Sequence, residues 1–256
     1  MSLAEEYRRQ LAWRSWPQVL SALPPLAGST VLDLGCGPGD LSAELVARGA
    51  RVHGIDGNEE LLRAARARGL SGAEFRCAEL RALPDDVPRS DGIWCSFVAA
   101  YFLDLEEVLR CWSRFLVPGG WIALVEIDDF FAHEPVRERT RELLASYVED
   151  ARLAGRYDFR MGRRLEPELV EAGFTVHQSF AVPDLELAFD GPARPDVMDA
   201  WRLRFERMGL LRNFCGAEHA ELVADFLGAL EHPRHRSGCT VRVAIARRSN
   251  GCLAPN

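Results

Sequence analysis

The sequence predicts an α/β fold of the doubly wound type, on a seven-stranded and mostly parallel sheet. Three observations carry that expectation. Short apolar runs alternate with helical patterns from residue 31 to residue 127, as in consecutive βαβ units. The runs 93–98 and 121–127 are almost wholly apolar, as strands become when helices cover both faces of a sheet. A strand through Asp33 and Leu34 passes directly into Gly35, Gly37 and Gly39 and then a helical pattern, a turn stripped of side chains and aimed at a ligand.

In chain order, residues 3–22 form a helix whose uneven apolar face (Leu3, Tyr7, Leu11, Trp13, Trp16, Val19, Leu20) is kinked or interrupted by Pro17. Strand 31–35 and its helix to about Arg48 close at Gly49, and strand 51–56 ends in Asp56. Asn58 caps the next helix, with Glu59 and Glu60 in its first turn and Gly69 beyond its end. Residues 73–78 and 91–98 are strands, 105–116 is a helix stopped by Pro118-Gly119-Gly120, and 121–127 is the fifth strand. The rhythm then changes. Helical patterns at 136–153 and 166–172 precede a sixth strand at 174–182, and two more, about 196–210 and 217–230, precede the last at 239–246. That strand alternates Val241, Val243 and Ile245 against Arg242, Ala244 and Ala246, so an antiparallel member with one less-buried face is expected. The chain is expected to be one domain, 1–256, with an N-terminal helical cap (1–28), a cofactor-binding core (29–128) and helical insertions at 129–165 and 183–237 that serve as a lid.

A chain of 256 residues with 48% apolar residues buries a sizeable core. The net charge of −7 argues against a broad nucleic-acid footprint, which needs clustered cations to neutralise phosphates. All fixed positive charge is arginine, since the sequence contains no lysine. Seven scattered cysteines (Cys36, Cys77, Cys95, Cys111, Cys215, Cys239, Cys252) never form C-x-x-C, which fits a reducing compartment without structural zinc. No apolar run approaches a bilayer span and no leader pattern opens the sequence. The expectation is a cytoplasmic protein with no membrane or metal.

Two ligand classes compete for the glycine turn. A dinucleotide site wants a third glycine where Asp40 stands, and an acid at a helix start repels a diphosphate. G-x-G-x-G with Asp33 ahead suits a ligand with a ribose but no phosphate, and Asp56 lies 21 positions after Gly35, near the spacing of a ribose-binding acid.

The stretch Asp33-Leu34-Gly35-Cys36-Gly37-Pro38-Gly39 resembles the nucleotide-binding signature of class I S-adenosylmethionine-dependent methyltransferases of small-molecule type. Gly54-Ile55-Asp56-Gly57-Asn58, Glu79-Leu80-Arg81-Ala82-Leu83-Pro84, Asp91-Gly92-Ile93-Trp94-Cys95-Ser96 and Arg114–Gly120 match its later signatures in order, over residues 31–127. The resemblance implies a Rossmann-like methyltransferase fold and S-adenosylmethionine as cofactor. Asp33, Gly35, Cys36 (through its backbone), Gly37, Asp56 and Gly57 would form the ribose side, Glu79 and Leu80 the adenine side, and Ser96 the methionine side. Tyr7 or Arg14 of the first helix would meet the methionine carboxylate. The chain lacks the Asn/Asp-Pro-Pro-aromatic motif of members acting on bases and glutamine, having Ser96-Phe97-Val98-Ala99 instead. Candidate bases are Tyr101, Glu126 at the end of the fifth strand, and His133 or Glu134 in the loop beyond, where α/β sheets hold ligands. Tyr157, Phe159, Arg160 and Arg163 either line an acceptor pocket or fasten the insertion. The function expected is methyl transfer to a small molecule. The alternatives are an S-adenosylmethionine-binding protein without transferase activity and a nicotinamide-dependent oxidoreductase.

Overall fold

Val31, Leu32 and Leu34 are wholly buried because their strand runs through the middle of a sheet covered on both sides. The computed structural model describes residues 3–248, so Cys252 lies outside the described residues. Helices α1 (Leu3–Leu11) and α2 (Trp16–Ser21) precede β1 (Thr30–Leu34), α3 (Asp40–Ala47), β2 (Arg51–Asp56), α4 (Glu59–Arg66), β3 (Ala73–Cys77), β4 (Ser90–Ser96), α5 (Leu105–Ser113) and β5 (Leu116–Asp128). Then come β6 (His133–Glu134), α6 (Glu138–Leu153), α7 (Leu165–Glu171), β7 (Phe174–Val182), α8 (Pro195–Arg207), α9 (Gly209–Cys215), α10 (His219–Leu230), β8 (Arg236–Ser237) and β9 (Thr240–Arg248).

The main sheet has seven strands in the order β3-β2-β1-β4-β5-β9-β7, with β9 antiparallel to both neighbours and every other pair parallel. Strand order reverses between β1 and β4, which opens a crevice at their carboxyl ends. Alternation of side chains divides the core. Val31, Trp94, Val125 and Val243 face α2, α3 and the insertions, while Leu32, Ile93, Leu124 and Ala244 face α5 and α7. In α5, Leu105, Val108, Leu109 and Trp112 fall on one stripe and are all buried. Each such side chain contributes about 1.5–3 kcal/mol.

The interruption at Pro17 is as expected, and two other elements differ from expectation. The first helix is two, because Pro17 lacks the N–H that a continuous helix needs and instead occupies the first turn of α2. Helix α5 ends at Ser113 and β5 already begins at Leu116. Ser90 pairs with Leu116 and Gly92 with Trp121, so residues 117–120 bulge from the strand, and Gly119 takes φ +74° there. In β9, Ala244 and Ala246 are as buried as the valines, because α7 and its flanking turn cover that face too; on that face Thr240, Arg242 and Arg248 remain partly open.

The two insertions pack on each other. Strands β6 and β8 pair antiparallel, and α10 rests on α6, α8 and β6.

Candidate functional site

Gly35, Gly37 and Gly39 all take positive φ (75°, 53° and 75°), the region where a side chain is strained. The Gly35 and Cys36 N–H groups donate to the Ile55 carbonyl at 2.7 and 3.2 Å, which draws the turn across the end of β2. A Cβ on Gly35 would stand 2.2 Å from Val98 Cγ2. On Gly37 it would meet only the Tyr7 ring, at 3.7 Å. The turn is therefore closed toward β4 and open toward α1. Asp33 does not reach it as a ligand group: its carboxylate is buried, accepts the Ser42 hydroxyl at 2.5 Å, and is pushed by burial up to about 7. It fastens α3 to β1. Cys36 is buried and its thiol is raised far above the usual range, chiefly by burial, so it has no thiolate chemistry.

Asp56, at the end of β2, accepts the Gly37 N–H on Oδ2 and the Asn58 N–H on Oδ1, both at 2.8 Å. The Asn58 side chain turns away to cap α4, accepting from the Glu60 and Leu61 N–H groups at 2.9 and 3.3 Å. Asp56 is thus aimed by backbone donors and keeps lone pairs for a ligand. Gly57 follows, and a Cβ there would touch only the Ala78 carbonyl, at 4.0 Å. Asp40 is ion-paired with Arg68, whose Nε also donates to the Pro38 carbonyl at 2.6 Å. Its charge is compensated, so a diphosphate is disfavoured mainly by the side chain standing where a glycine would leave room.

Glu79 is exposed, and its Oε1 accepts the Arg81 N–H at 3.2 Å. Leu80 is buried and its carbonyl accepts the Trp112 indole N–H at 2.7 Å. Arg81 ties this loop to the Asp104 carboxylate at 2.6 Å and the Tyr101 carbonyl at 3.3 Å. Ser96 ends β4, and Phe97 follows with φ +57°, a strained conformation for a bulky residue of the kind that gathers at functional sites. Its N–H donates to the Val125 carbonyl at 2.8 Å.

The two residues of the N-terminal segment part company. Tyr7 is 40% exposed beside Gly37, and burial, then Tyr101 and Asp56, push its hydroxyl up to about 12. Arg14 is buried and committed: Nη1 pairs with Asp184 at 2.5 Å, Nη2 with Glu186 at 2.8 Å, and its guanidinium lies 5.0 Å from the centre of the Phe97 ring. Glu186 also holds Arg204 of α8, at 2.5 Å. Arg14 therefore binds the N-terminal segment to the second insertion rather than facing the glycine turn. Its acidic partners lie some 170 residues away, where no local pattern could reveal them.

The candidate bases separate likewise. Tyr101 stands on a short 3₁₀ turn, 56% exposed, edge-on to Tyr157 at 4.9 Å between ring centres. The protein around each ring, and then Glu126, raises both hydroxyls, so both are hydrogen-bond donors at neutral pH. Glu126 is wholly buried and accepts the Ala100 and Ile127 N–H groups at 3.1 Å each; burial pushes it up to about 7. It props the turn that carries Tyr101. His133 is not brought to the glycine turn. It is 1% exposed among Phe189, Trp201, Phe226 and His235, and burial holds it down to about 3. Glu134 is exposed on β6 near Arg141, at 3.5 Å. Arg160 and Arg163 fasten the segment after α6 to Asp128 and Asp129, and Phe159 packs on Tyr157, Phe130 and Phe131. The signals missed in the sequence were Phe97 and Arg204.

Residues 31–120 match the family model of a methyltransferase domain, and the sheet order and acid-ended β2 frame that match. Residues 31–120 form a methyltransferase domain. The ubiquinone biosynthesis O-methyltransferase of Chromobacterium violaceum is 35% identical over 101 residues, 38% of this chain and 44% of that protein. The trans-aconitate 2-methyltransferase of an Azoarcus species is 37% identical over 144 residues, 56% of this chain and 54% of that protein. The chain thus spans about half the length of the curated relatives it matches. Among solved structures, an S-adenosylmethionine dependent methyltransferase from Mesorhizobium loti aligns with TM-score 0.54 at 21% identity, over 91% of this chain and 97% of that one. The [4+2]-cyclase SpnF aligns with TM-score 0.60 at 19% identity, over 92% and 80%. At such identities the likeness is one of fold, and the methyltransferase domain shares its architecture with a cyclase.

Proposed function

We propose that the protein transfers a methyl group from S-adenosylmethionine to a small organic acceptor. The observation that carries this reading is the Asp56 carboxylate, fixed by the Gly37 and Asn58 N–H groups at the edge of a turn whose open side holds no more than the Tyr7 ring. A carboxylate so held accepts two vicinal ribose hydroxyls, and the bare faces of Gly37 and Gly57 leave room for the sugar. The residues present fit that cofactor. Gly35, Gly37, Asp56 and Gly57 would hold its ribose side, Glu79 and Leu80 its adenine, and Ser96 with Tyr7 its amino-acid end. When bound it supplies a methyl carbon already activated by a sulfonium.

The chain then has to align the acceptor and exclude water, for which orientation is worth on the order of 7–11 kcal/mol. Tyr101 and Tyr157 keep their protons and can donate hydrogen bonds to the acceptor. Glu126 and His133 are both spent inside the protein, one on backbone amides and one on another histidine. This favours an acceptor whose attacking atom needs no base, such as an acidic oxygen, and relatives named as an O-methyltransferase and a trans-aconitate methyltransferase support that class. The insertions 129–165 and 183–237 serve as the lid. Among the described residues no helix is long and apolar enough to cross a membrane; we place the enzyme in the cytoplasm, with no nucleic-acid partner at a net charge of −7.

Calorimetry with S-adenosylhomocysteine and with NAD tests the cofactor: binding of the first alone is expected, and the reverse sinks the proposal. Labelled methyl transfer into a fractionated metabolite extract tests the chemistry. The same absence of a placed base favours one second reading, a cofactor-binding protein that catalyses another reaction, and a protein that binds S-adenosylhomocysteine but transfers no label to any fraction would establish it.

A further inference from the structure

We propose that the two insertions enclose a second binding site, for an apolar molecule bearing one anionic group, separate from the glycine turn. Between β6, β8 and α6 lies a cavity of about 430 Å³, within the size range of small-molecule pockets. Its walls are apolar: Phe130, Phe131, Leu144, Val148 and Phe159. None of Tyr7, Asp56, Glu79, Ser96 or Tyr101 lines it.

Charge enters only at the rim. Asp129 is matched by Arg160 at 3.0 Å, and Glu134 by Arg141 at 3.5 Å. Arg236 is exposed on β8, and among the described residues it makes no ion pair. Its guanidinium, across the β6–β8 pair from Glu134, thus stands at the mouth of an apolar hollow without a direct ion pair. His133, which also lines the cavity, adds no charge. A carbonyl can only accept, so His235 Nδ1, 3.0 Å from the Gly191 carbonyl, carries the hydrogen. Its Nε2 is then bare and accepts from His133 Nδ1 at 3.0 Å. Both rings are neutral, and burial lowers both histidines. His133 Nε2 is left as a buried lone pair without a partner. The complement of this hollow is a hydrocarbon or aromatic body ending in a carboxylate, sulfonate or phosphate.

The test is a fluorescence titration of the full chain with 1-anilinonaphthalene-8-sulfonate, and with the uncharged N-phenyl-1-naphthylamine. Saturable binding of one anionic probe per chain is expected, undisturbed by saturating S-adenosylhomocysteine. Arg236→Ala is expected to weaken the anion about tenfold, the range of one charge-assisted hydrogen bond, and to leave the neutral probe unchanged. Ala145→Trp, on the exposed part of α6 that lines the cavity, fills the hollow and abolishes both. Melting curves and S-adenosylhomocysteine affinity should match the parent in both variants. Non-saturable fluorescence, displacement by S-adenosylhomocysteine, or parental anion affinity in either variant overturns the proposal.

Discussion

Replacing Asp56 distinguishes a ribose-binding acid from one that merely shapes a turn. Each carboxylate oxygen faces a backbone N–H at 2.8 Å, Gly37 on one side and Asn58 on the other. Asp56→Ala removes the charge and the ligand-facing lone pairs, and hydrogen bonds to a charged group are worth about 1.5–3 kcal/mol each. Two ribose hydroxyls share one carboxylate, so a loss of about 2–3 kcal/mol is expected, or roughly 30- to 150-fold in affinity. Asp56→Asn should fare no better. Whichever way the amide is flipped, its NH₂ meets a backbone N–H as donor against donor. Isothermal titration with S-adenosylhomocysteine measures both, with circular dichroism to verify that the sheet is intact. Affinity within about twofold of the parent in a folded Asp56→Ala protein would refute the ribose assignment.

Other expectations concern the frame around the site. Gly35→Ala forces a side chain into positive φ, about 1–2 kcal/mol, and into Val98, about 1–3 kcal/mol more, and should lower the melting temperature; adding Val98→Ala should recover only the packing part, and full recovery would show that the backbone is unstrained. Arg14→Ala leaves Asp184 and Glu186 buried with less compensation and should cost about 3–5 kcal/mol in urea unfolding. A loss below about 1 kcal/mol would mean that Arg204 alone suffices. Glu126, at about 7 in the fold against an ordinary 4.5, holds its proton more tightly folded than unfolded. Its contribution is full below pH 4.5 and is lost as pH rises toward 7, a fall of about 3 kcal/mol. Glu126→Gln should reduce the slope of stability against pH in that window and leave the share of Asp33, which burial also raises to about 7, and an unchanged slope in chemical unfolding would exclude Glu126 as a source.

The alternation from β1 to β5 was legible because each step is written locally: an apolar run, a glycine or a cap such as Asn58, then a helical stripe. Asp56 was legible for the same reason, being the acid at the end of a strand that follows a glycine turn. Pro118-Gly119-Gly120 was read as a stop between helix and strand, but pairing with β4 on both sides of it makes it a bulge within β5. Cooperation across long distances in the chain left no such trace. Glu126 looks like a free acid at a strand end until the 3₁₀ turn folds over it and supplies the Ala100 amide. His133 sits at the right place in the sequence, after a strand's carboxyl end, yet its partner is His235, 102 residues on. Arg14 was expected on a helix that meets the ligand, but it lies between α1 and α2 and is held by Asp184 and Glu186, which belong to an insertion whose packing no periodicity discloses.

The placement of β9 between β5 and β7 bears on the order in which the molecule is assembled. A ribosome delivers β7 some sixty residues before the strand it must pair with, so it cannot dock on the growing sheet, whose free edge at β5 is reserved for a segment not yet made. The second insertion spans the chain between β7 and β9, and β8, which lines the hollow, is made just before β9. Strands β1 to β5 are all made before β9, whereas β7 has no sheet partner until β9 arrives. A nascent chain arrested before Thr240 should therefore already protect β1, β2 and β4 from hydrogen exchange while β7 stays unprotected.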